Sequence, residues 1–177
     1  MKEFLTIVGE FLQTYPQIRL NTSDKKLISD SVLNHFSFEN MGQLRDRFEG
    51  QAFLDKTTMK VGSVIAINKN FDFPEIDFDK LFLRDFQPQI TLREECVDVH
   101  VFEFGTLPLL EIEKIDKPIF FVIKKDSITF SLCGLASIDV VKNNLVESSL
   151  DRSNSNSHMN FTGFKYLEGV KSIIKNK

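Results

Sequence analysis

The chain has 177 residues, which suits one domain large enough to bury a core without disulfides or metal. Its net charge of -3 argues against a surface dedicated to polyanions, although a local basic patch would survive that average. Only 8 Gly and 2 Cys are present, so neither a glycine-rich phosphate cradle nor a disulfide framework is expected. Phe is the outlier, with 18 against 2 Tyr and no Trp, and it supplies large buried area with no polar atom to satisfy.

Residues 2–14 carry Phe4, Leu5, Val8, Phe11 and Leu12 at helical spacing. Tyr15-Pro16 should end that helix. A second helix is expected after Thr22 or Ser23, with Leu27, Ile28, Val32, Leu33 and Phe36 inward. Ser37 could cap a third, with Met41, Leu44 and Phe48 on one face and Gly50 as its stop. The β-branched run Met59–Ile67 then reads as a strand. Phe71 to Asp79 alternates apolar and acidic residues around Pro74, which suits an edge segment or loop, and Leu81–Phe86 reads as a further strand.

From Gln89 to Leu132 four apolar runs follow closely: Cys96–Phe102, Leu107–Ile112, Pro118–Ile123 and Ser127–Leu132. Their connections are short, which predicts an antiparallel meander. Ser137 should cap a helix carrying Ile138, Val141, Leu145 and Val146 inward. Residues 149–160 are Ser/Asn-rich and read as a linker after one globular domain, 1–148. Residues 161–177 read as an amphipathic basic helix, opposite in sign to the acidic body. The expected fold class is α+β: N-terminal helices, a five- or six-stranded mainly antiparallel sheet, and C-terminal helices.

Candidate chemistry is sparse. Cys96, Asp98 and His100 share one face of a strand, but Cys96 and His100 would lie about 13 Å apart, too far to share one ion. Asp98, Glu111, Glu113 and Lys114 approach the carboxylate-lysine set of a metal-dependent nuclease, with spacing wrong by one residue. Asp72, Glu75, Asp77 and Asp79 lack the glycine and terminal Glu of a calcium loop. No nucleophile elbow or phosphate-loop motif occurs. No metal and no cofactor are implied, and the apolar runs are too short to span a bilayer.

These features argue for a non-enzymatic cytoplasmic binding module that recognises a protein segment through an apolar groove beside the sheet. Phe71, Phe73, Phe78, Phe164, Leu167, Val170 and Ile174 are its expected contact residues. The C-terminal stripe either docks on the body or serves a partner or a second copy. The alternative is a nucleic-acid-associated domain, such as the DNA-reading domain of a defence or restriction-type system or a degenerate nuclease.

Overall fold

The structure, a computed structural model, describes residues 1–45, 50–71, 88–147 and 158–175. It is α+β, and its central five-stranded sheet is mixed rather than mainly antiparallel. The strands are β1 (Gln17–Arg19), β2 (Gln89–Leu92), β3 (Glu95–Glu103), β5 (Ile119–Lys124) and β6 (Thr129–Ala136), in the spatial order β1-β6-β5-β3-β2. Every neighbouring pair is antiparallel except β3 and β5, which run parallel. The reason lies in residues 104–118. That segment is long enough for a parallel crossover, and the apolar run inside it leaves the main sheet. Its Leu109–Glu111 forms β4, which joins β7 (Leu145–Glu147) and β8 (His158–Phe161) in a separate antiparallel sheet ordered β4-β8-β7.

Both faces of the main sheet are covered. Ile119, Phe120, Phe121, Val122 and Ile123 of β5 are all buried, so β5 reads as an unbroken apolar run. Alternate residues serve different cores. Phe120 and Val122 join Val97, Val99, Phe130 and Leu132 under α2 (Thr22–Phe36), α4 (Gly50–Phe71) and α6 (Val170–Lys175). Ile119, Phe121 and Ile123 join Phe102, Cys133 and Ala136 under α1 (Lys2–Val8), α5 (Ile138–Lys142) and the small sheet. A bulge between Phe121 and Val122 in the β5–β6 ladder flips the alternation of β6, so that Cys133 and Ala136, three residues apart, join the same core.

Apart from β1, the described residues up to Phe71 are mainly helical, with shifted boundaries. α1 tightens into a 3-10 turn at Gly9–Phe11. Asn21, not Thr22 or Ser23, caps α2: its side chain accepts from Asp24 N at 2.9 Å, and Asp24 accepts from Asn21 N at 2.7 Å. Ser37 closes α2 in the left-handed conformation instead of opening α3 (Met41–Arg45). Gly50 begins α4 rather than ending a helix.

The largest correction is Met59–Ile67, which is helical. Val61 to Ile67 are buried on every side of α4, and a helix enclosed all round loses the polar stripe that marks an amphipathic one. Gly62 permits the close approach, since a Cβ there would lie 2.7 Å from Phe130 Cζ. The expected acidic segment from Asp72 to Asp79 and the strand at Leu81–Phe86 lie outside the described residues.

The C-terminal region is woven into the domain. Residues 149–157 of the expected linker are outside the described set, whereas His158–Phe161 form the central strand of the small sheet. The expected helix 138–146 stops at Lys142, and Leu145 turns into β7. Glu168 exchanges two backbone hydrogen bonds with Leu135, at 2.8 and 3.0 Å, beyond the point where β1 leaves β6. Its carboxylate accepts from both terminal nitrogens of Arg93, at 2.6 and 3.2 Å. Arg93 and Glu94 make the β2–β3 turn with positive φ (50° and 66°), so a turn geometry usually carried by Asn-Gly is held here by two charged residues. One segment therefore ties β6 to the far hairpin.

Candidate functional site

Two clefts open around β3, and His100 and Leu109 line both. The first, about 620 Å³, is polar. Lys56 and Lys60 enter from α4, one turn apart on the same helix face. Asp98 and His100 come from β3, and Glu111, Lys114, Asp116 and Lys117 come from the crossover. Asp98 accepts from Gln89 Nε2 at 2.8 Å. Glu111 meets Lys114 Nζ at 2.7 Å and His158 Nε2 at 3.5 Å. The hydrogen bond from Lys114, with His158 nearby, holds the Glu111 carboxyl below the usual carboxylate range.

Three of the four nuclease-type residues, Asp98, Glu111 and Lys114, thus line one cleft, and Glu113 does not. The three-residue step from Glu111 to Lys114, wrong for a strand, works because Ile112–Lys114 is a 3-10 turn. What they form is an ion pair and a hydrogen-bonded carboxylate. Among the described residues no group of three His, Cys, Asp or Glu is placed to hold a metal ion. Cys96 is exposed at the start of β3. Cys133 is buried, and burial pushes its thiol well above the ordinary range, so it is not a poised nucleophile.

The second cleft, about 820 Å³, is a largely apolar groove. Its floor and walls include Phe4, Met59, Val101, Phe102, Leu107 and Leu109. Met1 overhangs it, packed at Gly105, where a Cβ would lie 2.7 Å from the Met1 methyl carbon. Glu3 and Glu103 stand at the rim, both exposed, and among the described residues no lysine or arginine lines the groove. Lys124 Nζ approaches Glu103 at 3.7 Å from the neighbouring strand.

His100 stands where the clefts meet, with its ring centroid 5.9 Å from Phe121 and 6.5 Å from Phe102. Burial lowers its pKa to about 4, so it is neutral at neutral pH. The unfolded chain then binds a proton that the native state refuses between about pH 6.5 and pH 4. Stability from this group is complete above 6.5 and falls with pH across that window. From pH 7 to pH 5 urea unfolding should reveal a loss on the order of 1–2 kcal/mol, missing in His100→Leu.

The expected contact residues are placed differently from one another. Phe71, Phe164 and Val170 are buried in the core, Leu167 is half-buried against it, and Ile174 is exposed. Phe73 and Phe78 lie outside the described residues. Sequence reasoning missed the groove residues Met1, Phe4, Met59 and Leu107, which gather from three distant parts of the chain. Their helical or strand periodicity signals burial and carries no mark of a shared surface. Among the described residues no helix is long and apolar enough to cross a membrane. No protein-family model matches the chain, nor does any curated protein or solved structure. The site therefore has to be argued from its own chemistry.

Proposed function

We propose that the protein is a non-enzymatic binding module whose apolar groove takes a short segment of a partner protein, with large apolar side chains next to lysine or arginine. The observation that carries this is the groove itself: an apolar floor of Phe4, Met59, Phe102 and Leu107 with Glu3 and Glu103 on its rim. The methionines that line the groove adapt to differing side chains, and the rim carboxylates favour a basic flank. The burial of Phe164 and Val170 favours this groove over the C-terminal helix as the contact surface.

Panning a displayed peptide library against the full chain tests the reading. Enriched peptides should combine Leu, Met or Phe with Lys or Arg. Leu109→Glu should weaken them at least tenfold, about 1.4 kcal/mol. Leu109 is 43% exposed, so the fold should tolerate that change. A failure to enrich, or peptides indifferent to Leu109→Glu, would contradict the proposal. The nucleic-acid reading keeps one observation in its favour, the lysines of the polar cleft. A duplex-DNA shift at roughly 50 mM salt that fades as salt rises would support it.

A further inference from the structure

The polar cleft has a character of its own. We infer that it binds a small phosphorylated molecule, with the phosphate on the lysines of α4 and the crossover and the hydroxyl groups on Asp98 and Asp116. The lysines come from two separate elements, Lys56 and Lys60 on α4 and Lys114 and Lys117 on the crossover, in a protein whose overall charge is -3. Against Asp98, Glu111 and Asp116 these four lysines leave the described lining at a formal charge of +1, opposite in sign to the whole molecule, which favours an anion here. Lysine serves phosphate as a compact point charge with three donors, and among the described residues no arginine fork for a planar carboxylate pair lines the site.

The acids present fit a ligand that also donates hydrogen bonds. Glu111 is committed to Lys114 and His158, and it sets where that lysine stands. Asp98 Oδ1 accepts from Gln89 Nε2, and Asp116 is exposed at the rim. Carboxylates beside a phosphate site repel a bare polyanion but accept the hydroxyls of a sugar phosphate. The volume of about 620 Å³ lies within the range of small-molecule sites, roughly 300–1,000 Å³. Among the described residues no Phe, Tyr or Trp lines the cleft, so the described lining offers no aromatic stacking platform for the bases of a nucleic-acid strand.

Calorimetric titration of the full chain with ribose 5-phosphate and with inorganic pyrophosphate tests this. Both should bind, with dissociation constants of about 1 mM or below. The double variant Lys56→Gln/Lys60→Gln should weaken both at least tenfold, whereas Lys165→Gln/Lys171→Gln, on the C-terminal segment, should leave them unchanged. Asp116→Asn should weaken ribose 5-phosphate but not pyrophosphate. The proposal is overturned if neither probe binds, if the α4 lysine variant binds as the parent does, or if that variant loses only duplex-DNA binding. Circular dichroism of each variant confirms that the fold is retained.

Discussion

Gly134→Ala is expected to destabilise the protein by about 3–5 kcal/mol and to release the C-terminal segment. Gly134 sits in β6 at φ 139°, a conformation that residues with a Cβ rarely adopt. A Cβ there would also lie within 2.4 Å of the backbone oxygen of Glu168. That oxygen accepts from Leu135 N at 3.0 Å, so the clash falls on one of the two bonds that dock the segment. Backbone cannot rotate away as a side chain can. Relief requires the strand pairing to open, which would draw Val170 and Ile173 out of the core beneath α6. The neighbouring Gly169 provides the control. Nothing lies within 4 Å of a Cβ built there, and Gly169→Ala should stay within about 0.5 kcal/mol of the parent. Urea unfolding of the two variants reads the difference, and equal stabilities would refute the docking described here.

Phe121→Ala should cost about 3–5 kcal/mol, the range for deleting a fully buried aromatic ring. Phe121 is inaccessible at the centre of β5, with its ring stacked on Phe161 at 4.5 Å and 5° between planes. It also meets His100, Phe102 and Phe164, with centroids 5.9 to 6.5 Å away. These partners come from β3, β8 and the C-terminal 3-10 turn, so the cavity would sit where the main sheet meets the small one. For a protein of this size a loss of 4 kcal/mol lowers the melting temperature by roughly 8–16 °C. The stacked pair also predicts non-additivity: Phe121→Ala and Phe161→Ala together should cost less than their separate losses combined. Additive losses would mean that the two rings are energetically independent.

The central strands were legible because two-sided burial writes itself into the sequence. Ile119 to Ile123 can hardly be anything but a core strand, and Ser137 caps α5 as expected, accepting from Val140 N at 3.3 Å. Burial on all sides also caused the main error. Val61 to Ile67 is enclosed like β5, and β-branched residues tilted the reading towards a strand, although tertiary packing holds them in α4. The parallel β3–β5 pair was hidden because Leu107–Ile112 looked like the next strand of the same sheet. Recognising it as part of another sheet requires β8, which comes some fifty residues later in the chain.

The candidate site was less legible than the fold. Asp98, Glu111 and Lys114 were singled out for a metal chemistry, and their meeting in one cleft depends on a 3-10 turn that strand spacing cannot foresee. The groove draws on Met1, Glu3 and Phe4, on Met59 of α4, on the end of β3 and the residues after it, and on Asn160 of β8. No local pattern links those positions. The phenylalanine excess reads first as core, and among the described residues Phe4, Phe71, Phe102, Phe120, Phe121, Phe130, Phe161 and Phe164 are buried.

The groove is tested most directly through its own methionines. The chain has 4 Met, of which Met1 and Met59 line the groove, while Met41 opens α3 and is not among the groove residues. Methyl-labelled methionine spectra recorded while a selected apolar, basic peptide is added should show the Met1 and Met59 signals moving together to saturation, with Met41 unmoved. Saturable binding that leaves Met1 and Met59 in place, or that moves Met41 instead, would contradict the assignment of the groove as the binding surface.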